Sequence, residues 1–193
     1  PLLGDLYTIS SSGGEAHAIS TGMAFDSQPV FSPDGRQIAF VSDRSGAENI
    51  WIANADGTHP RQLSLRDDNV VFTSPEWSAD GRAITASSYR ADLDAFELWQ
   101  FSVATGEGRL VIPIKSAPDQ PRSQWSSVLG AVASADGKYL YYARRAGDPP
   151  HGALPEWTIV RRDLQTEAER VIVSAPRSPR PDLVLGTAFR PAV

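Results

Sequence analysis

The sequence contains no cysteine, a single methionine and only three histidines in 193 residues. Without cysteine there is no disulfide framework, no thiol nucleophile and no zinc–thiolate site. The compartment stays open on that evidence. No apolar run approaches the roughly 20 residues that cross a bilayer as a helix. The opening residues Pro1-Leu2-Leu3-Gly4-Asp5 lack the basic flank and apolar stretch of a secretory signal. Positive charge is in short supply: 18 Lys and Arg stand against 23 Asp and Glu, a formal net charge of −5. The densest basic spots, Arg144-Arg145, Arg161-Arg162 and Arg177 with Arg180, are diluted by Pro, Asp or Glu. They read as solvated loop charge, so a groove tracking nucleic-acid phosphates is not expected. Helical periodicity is missing too, since no window holds apolar residues at i, i+3, i+4 and i+7 for three turns.

Turn chemistry is abundant. Fifteen Gly and fifteen Pro separate short runs rich in Val, Ile, Trp and Tyr, which argues for an all-β chain. One unit recurs. Phe31-Ser32-Pro33-Asp34-Gly35-Arg36-Gln37-Ile38-Ala39-Phe40 returns as Trp77-Ser78-Ala79-Asp80-Gly81-Arg82-Ala83-Ile84-Thr85-Ala86. It returns again as Ala133-Ser134-Ala135-Asp136-Gly137-Lys138-Tyr139-Leu140-Tyr141-Tyr142. The spacing between turn aspartates is 46 residues, then 56. Periods of about 40–50 residues with four short strands each are the signature of a propeller blade.

Each unit carries a second hairpin, with inner strands at Asn49–Ala53, Glu97–Phe101 and Glu156–Val160. Outer strands are expected at Arg61–Ser64, Arg109–Ile112 and Arg170–Val173. The expected fold is an all-β propeller of four-stranded antiparallel blades, incomplete, with three blade repeats and a partial blade at each end. The segments are 1–22 (partial blade), 23–66, 67–115 and 124–175 (blades), and 183–193 (start of a further blade). Two registers fit the last segment, with Pro191-Ala192-Val193 on Pro29-Val30-Phe31 or with Phe189 on Phe31. Both ends read as cuts, so the chain is expected to pack against the remainder of a longer parent or against another copy. The stretch Arg144 to Pro155 reads as a long connection inside the third repeat, either functional or a neutral insertion.

The stretch Gln28-Pro29-Val30-Phe31-Ser32-Pro33-Asp34-Gly35, continued by Phe40-Val41-Ser42-Asp43-Arg44 and Asn49-Ile50-Trp51-Ile52-Ala53-Asn54-Ala55-Asp56-Gly57, resembles the TolB-type propeller repeat. That repeat is also found in tricorn-like and prolyl-oligopeptidase-like proteins. Ala79 and Ala135 depart from it where the turn has proline, and Ala133 where it has an aromatic. More narrowly, Gly4-Asp5-Leu6-Tyr7, Gly13-Gly14-Glu15-Ala16 and Asp26-Ser27-Gln28-Pro29 are similar to the amino-terminal propeller of bacterial exported amidohydrolases. This resemblance implies a metal-dependent hydrolase barrel elsewhere in the parent protein and a periplasmic or secreted location. It also implies an accessory, gating or interaction role for the propeller. The alternative is a TolB-like periplasmic propeller that binds proteins and carries no enzyme; the gating propeller of a serine peptidase is a third reading.

The chain itself offers little chemistry. His17, His59 and His151 are isolated in sequence and lie in or beside expected turns. Ser32, Ser78 and Ser134, like Asp34, Asp80 and Asp136, recur at repeat positions and so read as turn residues. Asp67-Asp68 and Asp92-x-Asp94 lack the glycine and distal glutamate of a calcium loop. No Gly-x-Ser-x-Gly elbow occurs. Trp51 and Trp99 share a blade position, with Trp157 one or two residues off it, and all are expected between blades. Trp125 precedes a repeat without matching one and stands out as a surface or channel candidate. No catalytic, cofactor-binding or metal-ligating residue is assigned, and no cofactor is expected in this chain. Expected partners are the rest of the parent chain or another copy, and protein partners, with no nucleic acid and no membrane span.

Overall fold

The computed structural model describes residues 4–66, 70–115, 125–146 and 156–174, and the 183–193 segment lies outside them. The described residues form strands and turns, with no helix among them. A two-stranded sheet, β1 (Leu6–Thr8) and β2 (His17–Ser20), comes first. Three four-stranded antiparallel sheets follow. The first comprises β3 (Asp26–Phe31), β4 (Gln37–Ser42), β5 (Asn49–Asn54) and β6 (Arg61–Gln62). The second comprises β7 (Val71–Trp77), β8 (Ala83–Arg90), β9 (Ala95–Ser102) and β10 (Gly108–Ile112). The third comprises β11 (Val128–Ala133), β12 (Tyr139–Ala146), β13 (Glu156–Asp163) and β14 (Glu169–Ser174). Each sheet is a meander in sequence order, and the first strands of successive sheets meet, β3 with β7 and β7 with β11. The sheets therefore fan out from their first strands as propeller blades do, without closing into a ring among the described residues.

The turn that opens each blade is built three times from the same bonds. Ser32, Ser78 and Ser134 donate their hydroxyls to the aspartate two residues on, at 2.7, 2.6 and 2.7 Å. The same carboxylate oxygen accepts the backbone N–H of Arg36, Arg82 or Lys138 at 3.1 Å. Gly35, Gly81 and Gly137 all take φ of +69°, which L side chains resist. These bonds hold the carboxyls of Asp34, Asp80 and Asp136 below the usual range, the serine hydroxyl contributing most. Proline at the second turn position is dispensable because none of these bonds uses it.

Packing between sheets supplies the core. Between the first and second four-stranded sheets lie Ala39, Val41, Ile50, Ile52 and Leu63 against Val70, Phe72, Trp77, Ile84, Ala86 and Phe101. Leu98 and Ile112 meet Val128, Leu140, Tyr142 and Val160 at the next interface. Each fully buried aliphatic or aromatic side chain contributes about 1.5–3 kcal/mol, against at most about 1 for an exposed ion pair. The exposed Arg36–Asp34 and Arg82–Asp80 pairs, both at 4.0 Å, therefore count for little beside these interfaces.

Two expectations are corrected. Arg144, Arg145 and Ala146 belong to β12, paired with Thr158, Trp157 and Glu156, so they are strand and not connection. Residues 147–155 of that stretch lie outside the described residues. Trp51 faces Phe40 and Trp99 faces Ala86, but the matching Tyr142 faces Val160. Trp157 is thus three residues off the shared position, opposite Arg145.

Because the three turn carboxyls titrate lower when folded, their contribution to stability is present above the unfolded value near 4 and is lost as pH falls through the folded values. Urea midpoints measured from about pH 5 down to about pH 2.5 should fall, and should fall less in the triple Asp34→Asn, Asp80→Asn, Asp136→Asn variant. A Cβ on Gly57 would overlap the Ile19 carbonyl oxygen at φ +83°, whereas one on Gly46 (φ +97°) meets nothing within 4 Å. Denaturation should show Gly57→Ala losing about 3 kcal/mol or more and Gly46→Ala about 1.

Candidate functional site

The axial side of the molecule is the candidate site, and it is built from bulges. Gln28, Ser74 and Gly130 each lie six residues before a turn aspartate, in the first strand of their sheet. All three are left-handed, with φ of 54°, 54° and 59°. At each the ladder to the second strand slips, between Ser27 and Val30, Thr73 and Glu76, and Leu129 and Ala131. The bulge frees side chains to reach the neighbouring sheet. The Gln28 carboxamide oxygen accepts the Thr73 hydroxyl at 2.9 Å and the Ser74 backbone N–H at 2.7 Å. One step on, the Gly130 N–H is taken by Ser87 Oγ at 2.9 Å. Pro29 and Pro75 follow the first two bulges, withholding an N–H from strands whose outer edge faces the axis.

Sequence reasoning missed this row. The signal was present in the recurrence of Gln28-Pro29 and Ser74-Pro75 at one offset, but Gly130-Ala131 breaks the pattern in residue type. The backbone conformation is what repeats.

Several charged groups elsewhere hold strands together. Asp26, at the position of Phe72 and Val128, pairs with Arg44 at 2.5 Å, and that guanidinium lies over the rings of Phe40 and Trp51. In the third sheet Glu169 accepts Tyr142 Oη at 2.7 Å, Arg144 at 2.6 Å and Arg162 at 3.1 Å, tying β14 to β12 across β13. Burial pushes the Glu169 carboxyl up, yet the tyrosine hydroxyl and the Arg144 guanidinium together hold it below its usual value. Burial first, and the bond to Glu169 second, push the Tyr142 hydroxyl up. An ionised carboxylate and a neutral phenol fixed in this way are poorly matched to proton transfer near neutral pH. Glu48 goes the other way, raised by burial and by Asp43.

The residues singled out in sequence do not converge. His17 begins β2, His59 follows the β5–β6 turn, and both are exposed. His151 lies outside the described residues, as do Asp67 and Asp68. Asp92 binds Arg90 through both oxygens, at 3.0 and 2.9 Å, while Asp94 accepts Tyr89 Oη at 2.8 Å. Among the described residues no three His, Asp or Glu side chains form a group that could hold a metal ion. Trp51 packs against the cluster of Leu6, Ile38, Phe40 and Ala53, and Trp99 against the first inter-sheet core. Trp125 is half-buried before β11, its carbonyl accepting from Arg145 at 3.3 Å.

Between successive turns lie two open clefts. One of about 350 Å³ runs between Pro33 and Asp34 on one side and Asp80 and Gly81 on the other. Its counterpart at the next interface, beside Ala79, Asp80, Asp136 and Leu164, is about 580 Å³. Both are open grooves, suited to contact and not to enclosing a reaction.

The Gln28 bridge predicts a measurable loss. Gln28→Ala removes the acceptor of the Ser74 N–H and should cost about 0.5–1.5 kcal/mol. Amide exchange at Ser74 should accelerate more than exchange at Phe101, in the core of the same sheet.

The chain is 37% identical over 115 residues to Dipeptidyl-peptidase 5 of Porphyromonas gingivalis, covering 55% of this chain and 16% of that protein. It is 41% identical over 56 residues to the Tol-Pal system protein TolB of Bordetella pertussis, covering 28% of this chain and 13% of that one. A solved structure assigned to TolB from Agrobacterium tumefaciens superposes with a TM-score of 0.62 at 20% identity, over 88% of this chain and 55% of its own. The chain thus spans about a sixth or less of the length of these curated relatives. The family model of the TolB beta propeller domain matches residues 3–122, and the chain belongs to that family.

Proposed function

We propose that these residues are the non-catalytic propeller portion of a larger exported hydrolase, in which they act as an accessory, gating or interaction domain. The observation that carries this reading is the way the recurrent turn residues and the inter-strand polar groups are engaged. The recurrent Ser and Asp close turns, Glu169 and Asp26 are held by arginines, and Gln28 bridges two sheets. A surface so committed is suited to presenting a rigid scaffold to another domain.

The parent enzyme is proposed to be a metal-dependent amidohydrolase of the exported bacterial type, on the resemblance at residues 4–16 and 26–29, in the periplasm or outside the cell. The metal would belong to that separate domain. A serine-peptidase parent is the second reading, favoured by the 37% identity to a dipeptidyl-peptidase within its 115 matched residues. TolB-like protein binding without an enzyme is the third.

Purification of the natural protein that contains these residues separates the three. The expected outcome is a denatured mass well above 20.9 kDa, with an amide-hydrolysing activity that a chelator abolishes and a divalent ion restores. Loss of activity to a serine-directed phosphonate, with no effect of chelator, would select the peptidase parent. A longer protein that hydrolyses neither class of substrate and captures a protein partner would select the TolB-like reading.

A further inference from the structure

The two clefts between successive turns match residue for residue but differ in size. Three residues that wall the first, Pro33, Gln37 and Trp77, are each replaced by alanine in the second, at Ala79, Ala83 and Ala133. Each pair stands at one offset from its turn aspartate: one residue before it, three after it and three before it. The first cleft holds about 350 Å³ and the second about 580 Å³. The added space comes from the shortened side chains and not from sheets splaying apart. A Cβ on Gly81 would lie 3.9 Å from Pro33, and one on Gly137 would lie 4.0 Å from Ala79, so the turns stay in ordinary contact at both interfaces. The bond from the Gly130 N–H to Ser87 Oγ, at 2.9 Å, ties the third sheet to the second as Gln28 ties the second to the first.

Trp77 shows what such a space accepts. It is 4% exposed, packed in one cluster with Phe72 and Phe101, and its Nε1 donates to the Val30 carbonyl at 3.1 Å. The geometry between two of these sheets therefore accommodates an indole. At the next interface Ala133 stands where Trp77 stood, and the walls around it are the methyl groups of other alanines. The charged residues of this second cleft are Asp80, Asp136 and Arg82, which leaves one negative charge over. Bonds from Ser78 and Ser134 keep both carboxyls in their ionised form.

We propose that the second cleft is a binding site for an aromatic side chain, tryptophan above others, carried beside a lysine or arginine on an exposed segment of a partner protein. The ring takes the place that Trp77 fills one interface earlier, and the basic residue meets Asp80 or Asp136. The walls are already set by the turns and by the Gly130 bond, so little ordering of the site opposes binding. An aliphatic side chain covers less of the same walls and gains less. The inference goes beyond the scaffold reading and holds whichever parent carries the chain.

The probe is the capped peptide acetyl-Lys-Trp-Lys-amide, titrated into the isotope-labelled 193-residue chain while backbone amide shifts are followed by NMR. Saturable shifts should appear at Ala133, Ala135 and Gly137 with a dissociation constant of about 1 mM, while Ser32 and Gln37 at the first cleft stay unmoved. Acetyl-Lys-Leu-Lys-amide should bind at least about tenfold more weakly. Ala133→Trp, which restores the residue of the first cleft, should weaken the tryptophan peptide at least about tenfold. Ala83→Gln, restoring another, gives the same reading if Ala133→Trp does not fold. Equal binding of the two peptides, shifts away from the cleft, or undiminished binding by the folded variants would overturn the proposal. The titration is then repeated with the full natural polypeptide. Shifts lost there, with the cleft covered by the parent's own residues, would overturn the partner in favour of an internal occupant. None of these outcomes turns on whether the parent hydrolyses a substrate, so the proposal and the hydrolase reading fail separately.

Discussion

The constraint on which everything else rests is that a four-stranded sheet cannot bury both of its faces by itself. Each sheet here has apolar side chains on the two sides of the same strands: Ile38 and Phe40 toward β1 and β2, Ala39 and Val41 toward β7 and β8. A sheet so patterned is stable only between two others, and each added sheet passes the requirement to its successor. The turns, bulges and ion pairs are ways of aligning one sheet on the next. They contribute less free energy than the interfaces but determine which residues meet.

Seen from that constraint, the division between what the sequence displayed and what it concealed has a physical basis. Blade count, strand order and the three Ser-x-Asp-Gly turns were legible because turn chemistry is local: a serine, an aspartate and a glycine at fixed offsets bond one another wherever they occur. Register inside the ladders was less legible. Trp157 was expected within one or two residues of the position that Trp51 and Trp99 share. Pairing geometry gives that place to Val160. The axial bulges were hidden because their common property is a positive φ, which glutamine, serine and glycine share here without sharing chemistry.

Around the candidate site, the turn chemistry was what the sequence made legible. Repetition marked Ser32, Ser78, Ser134 and their aspartates as turn builders, and the structure puts each in the same bonded ring. The engagement of Asp26 with Arg44, 18 residues away, and of Glu169 with Tyr142 and Arg144, 27 and 25 residues away, could not be read in advance. An ion pair between strands depends on register, the quantity that sequence conveys least well.

The bulge row also bears on how such repeats could be redesigned. A redesign of the three blades for least backbone strain would favour glycine at the position of Gln28, since glycine takes φ near +55° with less strain than any other residue. That choice would relieve the backbone and at the same time delete the carboxamide that holds the neighbouring sheet. Local optimum and assembly optimum diverge at this residue. An idealised array of identical blades would gain regularity within each unit and give up a device that sets the spacing between units, so averaging the repeats would not by itself make a better propeller.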